Sequence, residues 1–408
     1  MTKQELAFQK LSALKVGALF MEMGTGKTKV ALDLMASRLN KCDYFLWICP
    51  FSTKEQVEEE KEKWQPNLNL KIVGCETISQ SDRIYLDILS EVSKAKCAFV
   101  VVDESLKIKN LDAKRTDRIL KLGKIAKYKL ILNGTPLSKN VLDLYPQMNF
   151  LSPKILNMSF NQFKNTYCEY YIRGRLKNLV KKQYNIENLI SKIKPYIFDS
   201  ELDLRLSRNY EKFTYKMNDK QGYEYLKSCL LKEYTSFNNN FNFMAFSQVL
   251  QTYYCKSSNK TRLLEEILKK IDGQVIVFVK YLASIPDEAK ALTGKQSEFE
   301  RKEILKGFKE GKFKTLYMTY GVGAFGLNLQ NCHHMIFAEH SFDYAQRIQA
   351  EARIYRMGQT KPTYYYSLFC NCGLERLIQA SLNKKTNLLD EVKKEIEKKG
   401  VEEWLKSM

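Results

Sequence analysis

The chain has 408 residues, 44% of them hydrophobic, and carries 66 basic against 46 acidic residues for a formal charge of +20. Such a length allows two or three units of ordinary size, each burying its own core, and the apolar share excludes a disordered chain. The charge favours a polyanionic partner, and because lysine supplies most of it, sequence-independent phosphate contact suits it better than bidentate reading of base edges.

The N-terminus, MTKQELAFQK, is polar and is not read as a signal peptide, and no apolar run approaches transmembrane length. The expectation is a cytoplasmic protein with no membrane partner. The ten cysteines contain no CxxC pair, and His333, His334 and His340 form no zinc pattern with them, so no metal site is read from the cysteines.

In chain order, GALFM (17–21) reads as a buried strand, followed by a glycine turn and a helix from Thr28 to about Arg38. YFLWIC (44–49), CAFVVV (97–102) and KLILN (129–133) read as further strands, and strands alternating with helices indicate a parallel α/β lobe. From about Ser152 to Phe246 the chain turns rich in Tyr, Phe, Asn and Lys. FNQFKNTYCEYY and KQGYEYLKSCLLKEY read as helices there, and SFNNNFN (236–242) as a loop. QVIVFV (274–279), FKTLYMT (313–319) and HMIFAE (334–339) restore strands, and apolar residues at helical spacing from Leu374 mark a packed amphipathic tail. The expected architecture is α/β: two parallel-sheet lobes with a helical insertion between them and a C-terminal helix. The divisions are 1–151, 152–246, 247–373 and 374–408.

MEMGTGKT follows a strand and opens a helix, which is the setting a phosphate-binding loop requires. Gly24 and Gly26 let backbone amides curl around an anion, Lys27 places a charge on the β- and γ-phosphates, and the Thr28 hydroxyl can ligate Mg²⁺. The strict pattern asks for glycine where this chain has Met21, and a GKT after any glycine can also be a plain turn. FVVVDES ends a buried strand in two carboxylates, Asp103 and Glu104, which is expensive unless those charges have work to do. At the C-terminal end of a parallel strand, Asp103 would hold Mg²⁺ and Glu104 would orient or activate water; acidic residues entering a surface loop is the plainer alternative. Near the end, QAEARIYRMGQTKP holds Arg353 and Arg356 three apart, either a solvated helix face or a pair reaching for concentrated negative charge.

With GTGKT, DES, LNGTP and QAEARIYRMGQ in order, the chain resembles the SWI/SNF-type branch of superfamily 2 helicases and translocases, closest to the compact versions of phages and other mobile elements. Gly24-Thr25-Gly26-Lys27-Thr28 is similar to motif I, Asp103-Glu104-Ser105 to motif II and Gly134-Thr135-Pro136 to motif III. ICP (48–50) and ETISQSD (76–82) sit where motifs Ia and Ib would be. VIVFVKY (275–281) looks like motif IV, GVGAFGLNL (321–329, with Gly326) like motif V, and Gln349 with Arg353 and Arg356 like the Q-x-x-x-R-x-x-R of motif VI. Ser105-Leu106 stands where Ala-His is usual, Tyr355 where His is usual between the arginines, and the stretch Phe278 to Thr293 is short for the family.

The resemblance implies an ATP- and Mg²⁺-dependent monomeric motor that tracks one strand of double-stranded DNA. Lys27, Asp103, Glu104, Arg353 and Arg356 would be catalytic, Gly24 to Thr28 with Gly326 and Gln349 would bind nucleotide, and the two arginines would act as fingers supplied from the second lobe. If phage-encoded, the host cytoplasm is its compartment. Pro50, Ser79, Thr135 and Thr319 are candidate phosphate-tracking residues, each also readable as an ordinary loop residue. The aromatics Phe160, Phe163, Tyr167, Tyr170 and Tyr171 could stack on bases or form the insertion's own core. Lys177, Lys181 and Lys182 extend the DNA path or form a solvated face. Two other readings stay open: a strand-separating helicase on DNA or RNA, and a nucleic-acid clamp that uses ATP as a latch.

Overall fold

The computed structural model describes residues 1–134, 141–173, 176–202, 204, 206–236, 243–323, 327–356, 358–384, 388 and 403. The chain divides into two compact units, Met1–Asp203 and Leu204–Met408. In the first, helix α1 (Lys3–Ser12) leads into β1 (Val16–Met21) and helix α2 (Lys27–Ala36), then β2 (Tyr44–Cys49), β3 (Leu70–Gly74), β4 (Ala98–Val102) and β5 (Tyr128–Asn133). A hairpin of β6 (Cys168–Arg173) and β7 (Leu176–Gln183) follows, and then β8 (Ile197–Ser200). The second unit holds β9 (Arg208–Tyr215), β10 (Val275–Val279), β11 (Ala291–Leu292), β12 (Thr315–Thr319), β13 (His334–Phe337) and β14 (Thr363–Cys370).

Two six-stranded sheets result, ordered β3-β2-β4-β5-β1-β8 and β11-β12-β10-β13-β14-β9. All pairings in both sheets are parallel. The expected pair of parallel α/β lobes is therefore present. Alternation explains why these strands read as unbroken apolar runs: successive side chains serve opposite faces, and both faces are covered. Phe20, Leu46, Ile48, Val100 and Ile131 enter one core of the first sheet. Leu19, Met21, Trp47, Val101 and Leu130 enter the other. In the second sheet Val275, Val277 and Ile336 face one core, and Ile276, Phe278 and Phe337 the opposite one.

The region 152–246 contains the expected helices Phe160–Tyr167 and Lys220–Ser236, and adds strands. FNQFKNTYCEYY is helical only as far as Tyr167; Cys168 turns extended (φ −136°, ψ 138°) and CEYYIR becomes β6, its aromatic and β-branched content suiting a strand. β8 and β9, on either side of the division, join the first and second sheets respectively. Phe163 and Tyr167 are fully buried with ring centroids 4.8 Å apart, and Phe160 packs beside them, so these three aromatics form core. The side chains of Tyr170, Tyr171, Lys177 and Lys181 and the loop 237–242 lie outside the described residues; the Lys182 ammonium sits 5.2 Å from the Tyr184 ring. The short segment before Thr293 ends in β11, a two-residue edge strand on β12. No helix among the described residues is long and apolar enough to cross a membrane, and no group of three or more His, Cys, Asp or Glu among them is placed to hold a metal ion.

Helix Gly373–Asn383 buries Glu375, whose Oε1 accepts the Tyr254 hydroxyl at 2.7 Å. Burial pushes this carboxyl from an ordinary 4.5 up to about 8. The folded chain then holds a proton that the unfolded chain releases, so this group makes stability fall as pH rises from about 4.5 to about 8. Glu375→Gln removes that titration. Its thermal midpoint should gain on the parent between pH ~5 and pH ~8, read by thermal unfolding at both values; a constant difference would refute the buried-acid assignment.

Candidate active site

The loop after β1 turns at two glycines, Gly24 (φ 78°) and Gly26 (φ 84°), both in the left-handed region that a Cβ disfavours. Gly26 caps α2, so the loop delivers its amides to a helix N-terminus, where free N–H groups and the dipole favour an anion. Met21, where the strict motif has glycine, is the buried last residue of β1. The strand simply runs on through it, and the turning is left to Gly24 and Gly26. The Lys27 ammonium donates to the carbonyls of Met21 (2.7 Å) and Glu22 (3.1 Å). Thr25 is buried and its hydroxyl donates to the Glu22 carbonyl at 2.6 Å, while Thr28 is half-buried in the first turn of α2. Three hydrogen bonds from two side chains of the loop thus converge on carbonyls at its start, which fixes its curvature.

Two residues absent from the sequence reading complete this loop. The Gln4 amide of α1 donates to the Thr25 carbonyl at 3.1 Å, and a Cβ on Gly26 would come within 1.9 Å of Gln4 Nε2. Glu22 donates its N–H to the Ser200 carbonyl (2.9 Å) and accepts the Leu202 N–H on its carboxylate (2.8 Å). Glu22 stood inside the quoted motif, but its partners are about 180 residues away; Gln4 carried no local signal of its contact.

β4 ends at Asp103, whose N–H donates to the Ile48 carbonyl (2.7 Å) and whose Oδ1 accepts the Glu104 N–H (2.8 Å). Burial, reinforced by the Glu104 charge, pushes the Asp103 carboxyl up to about 7, and the Lys27 charge pulls in the opposite direction. Lys27 and Asp103 therefore share one electrostatic site, as the motif order implied. Glu104 holds φ 48°, ψ 54°, a left-handed conformation that costs a non-glycine residue roughly 1–3 kcal/mol and is characteristic of functional turns. Ser105 is fully buried and donates to Gln147 Oε1 at 2.6 Å. Gly134, after β5, lies against the loop: a Cβ there would contact Met23 Cγ at 3.6 Å.

Of the candidate tracking residues, Pro50 and Ser79 follow the C-terminal ends of β2 and β3 in this first sheet. Pro50 is buried and caps the turn Phe51–Thr53, with its carbonyl accepting the Thr53 hydroxyl at 3.0 Å. Ser79 is half-buried on helix Cys75–Gln80. Thr135 and Gly326 lie outside the described residues.

In the second unit, helix Tyr344–Glu351 carries Gln349, half-buried, and leads to Arg353 and Arg356. Arg353 is buried, with its carbonyl accepting the Leu329 N–H at 3.1 Å. Arg356 is half-buried and donates Nη1 to the Leu327 carbonyl at 3.3 Å. The solvated-face reading fails for both, and the segment is tied to residues 327–329. From the other side β9 holds it: the Tyr210 hydroxyl donates to Glu351 at 2.9 Å, and the Arg208 guanidinium lies 3.8 Å from the Tyr355 ring centroid. Thr319 is half-buried at the end of β12.

The donor set suits Mg²⁺ bound with a nucleoside triphosphate. One hydroxyl (Thr28) and one buried carboxylate (Asp103) are what such a site offers when phosphate oxygens and water supply the remainder.

The model of the SNF2-related domain family matches residues 9–270, more than half the chain, and that of the Helicase conserved C-terminal domain matches residues 259–358. The chain is 24% identical, over 91% of its length, to "Chromatin structure-remodeling complex subunit snf21" of Schizosaccharomyces pombe, and covers 37% of that protein. It is 23% identical, over 91% of its length, to "Transcription regulatory protein SNF2" of Saccharomyces cerevisiae, covering 26% of it. To "ATP-dependent helicase brm" of Drosophila melanogaster it is 23% identical over 92% of its length, covering 28% of that protein. The chain thus spans well under half the length of these curated relatives. The solved "Sulfolobus solfataricus SWI2/SNF2 ATPase core in complex with dsDNA" is 21% identical, with 93% of this chain and 90% of that one covered at a TM-score of 0.43.

Gly26→Ala meets two separate costs, a side-chain clash with Gln4 and a left-handed φ. It should lower stability by about 1–2 kcal/mol, measured by denaturant unfolding. Adding Gln4→Ala should recover only the steric share, and full recovery would show that the backbone is unstrained.

Proposed function

The chain belongs to the SNF2-related domain family, and from that premise we propose that it is an ATP-dependent translocase on double-stranded DNA that remodels protein–DNA complexes or branched DNA. The single observation that carries the reading is the shared electrostatics of Lys27 and Asp103 at the end of a parallel sheet, beside the left-handed Glu104. A bare anion-binding loop has no use for that carboxylate pair. The charge of +20 supports a phosphate-backbone partner, and the curated relatives' names speak of chromatin remodelling.

The amides of Gly24 to Thr28 and the Lys27 ammonium bind the ATP phosphates, with Lys27 exchanging its loop carbonyls for phosphate oxygen. Thr28 and Asp103 would hold Mg²⁺, which would supply neutralisation of phosphate charge there. Glu104 orients a water for attack on the γ-phosphorus and accepts its proton as the bond to the bridging oxygen breaks. Arg353 and Arg356 stabilise the charge that develops on the transferred group, and Gln349 and Gly326 join the nucleotide contacts. Because these arginines belong to the second unit, turnover is tied to the relation between the units, which is how hydrolysis drives stepping. Pro50, Ser79, Thr135 and Thr319 line the phosphate track, and one copy of the chain suffices as a motor.

A strand-separating helicase is the second reading, and the hairpin β6–β7 favours it: paired antiparallel with itself, it forms a sheet apart from the two six-stranded ones and offers a wedge. An ATP-latched clamp has less support, since a latch has no need of Glu104 and the arginines together.

Turnover should rise strongly with blunt duplex DNA over no nucleic acid, single strands or RNA, with Lys27→Ala as an inactive blank. Stimulation by single strands alone would transfer the reading to the helicase, and no sustained turnover would leave only the clamp. Arg356→Ala should lower kcat about a hundredfold or more while nucleotide Kd changes little. Equal losses in both would make Arg356 a ground-state phosphate clamp.

A further inference from the structure

At the opposite end of the second sheet, where β13 and β14 begin, lies a cleft of about 340 Å³ that the motor reading does not use. Its size falls in the range of small-molecule sites, ~300–1,000 Å³. Its floor is a ladder of conjugated rings. His334 and Tyr364 are register partners across β13 and β14, with ring centroids 5.0 Å apart and planes within 16°. Tyr366, two residues on and on the same face, lies 6.0 Å from His334 with planes within 12°, and its hydroxyl and His334 Nδ1 are hydrogen-bonded at 3.2 Å. His333 adds a further ring 4.9 Å from His334.

The rim is charged. Lys270 and Lys361, both exposed, stand on it with a single carboxylate, Asp272. Burial and neighbouring positive charge hold His334 down at about 4 and lower His333 as well. Both imidazoles are therefore held toward the neutral form, and the ladder is an aromatic surface rather than a cationic one. Parallel rings with ammonium groups at the edge match one ligand chemistry: a planar heterocycle with a phosphate attached. Asp272 adds an acceptor for a sugar hydroxyl or an exocyclic amine.

We propose that the cleft formed by His334, Tyr364, Tyr366, Lys270 and Lys361 is a nucleotide-binding site, in which an unstacked base lies on the aromatic ladder and its phosphate meets the lysines. This site does not depend on the motor reading, because none of the residues that line it belongs to the proposed catalytic set. The nucleotide is either a unit of a single-stranded nucleic acid or a free mononucleotide.

The test is photocrosslinking of the full chain with a short single-stranded oligonucleotide carrying 5-iodouracil, and in parallel with 5-iodouridine monophosphate, mapping adducts by peptide mass spectrometry. Adducts should fall on the peptide that carries Tyr364 and Tyr366, and Tyr364→Ala should reduce capture about tenfold. Lys361→Glu, on an exposed side chain that leaves the ladder intact, should weaken capture as well while basal ATP turnover is unchanged, which separates lost binding from misfolding. Labelling by the oligonucleotide alone identifies a strand as the source, and labelling by both probes a free nucleotide. Adducts that map only elsewhere with both probes, or that survive both substitutions, overturn the proposal.

Discussion

Parallel pairing with both faces covered leaves a sheet only its ends for chemistry. In the first unit this constraint decides where every functional group can stand. The two cores take alternate residues of β1, β2, β4 and β5, which leaves few polar side chains within these strands; Lys129 of β5 is one, its ammonium donating to the Gly123 carbonyl at 2.9 Å. At that edge the chain changes character abruptly: Met21 gives way to Glu22, Val102 to Asp103, Asn133 to Gly134. The edge gathers one ammonium, two adjacent carboxylates and two left-handed glycines, and Lys27 is near enough for its charge to act on Asp103. The Lys27 charge opposes, without cancelling, the burial and the Glu104 charge that raise Asp103.

The second unit manages charge differently. Lys260 and Glu339 form a buried ion pair at 2.6 Å, and Glu339 also accepts the N–H groups of Lys280 (2.8 Å) and Tyr281 (2.9 Å) and the Ser284 hydroxyl. Arg347 and Glu351 pair at 2.6 Å, with the guanidinium 3.3 Å from the Phe337 ring centroid. Buried pairs of this sort add little net stability, but breaking one leaves an uncompensated charge, so they specify geometry. Arg347–Glu351 lies one turn before Arg353 on the same segment. The cost of burying that pair is therefore returned as a fixed starting direction for the two arginines proposed to reach phosphate.

Legibility of the fold followed unbroken apolar runs rather than burial alone: β14 (TYYYSLFC) is buried and interior, but its threonine, tyrosines and serine break the run and it was not read from the sequence. β1, β2, β4, β5, β10, β12 and β13 are apolar runs in the middle of sheets and could be read from sequence. β9 could not: RNYEKFTY is an edge strand whose residues are mostly exposed, so it carries no apolar run to announce it. β8 has four residues and β11 two, too short for any periodicity to register. The hairpin was hidden behind a helix that ends inside an aromatic-rich stretch. In the candidate site, Gly24, Gly26, Lys27, Asp103, Glu104, Arg353 and Arg356 could be proposed from residue type and spacing. Gln4 and Glu22 could not, because their roles come from contacts across about 20 and 180 residues.

The two departures from the family pattern fall on connectors rather than on charges. Tyr355, between the arginines, lies beneath Arg208 and accepts the Leu204 N–H on its hydroxyl at 3.3 Å. An imidazole is shorter than a phenol and would lose that reach, so the tyrosine matches the way β9 grips this segment. Ser105, after the carboxylate pair, passes its hydroxyl hydrogen to Gln147, whose amide donates in turn to the Asp143 carbonyl at 2.8 Å. That relay joins the loop after β4 to helix Leu144–Leu151, which follows the Gly134 turn. Both substitutions rewire mechanical links next to chemistry while the proposed catalytic set keeps its residue types. The departures therefore bear on how these segments are held against their neighbours, and leave the residue types proposed for hydrolysis as they are.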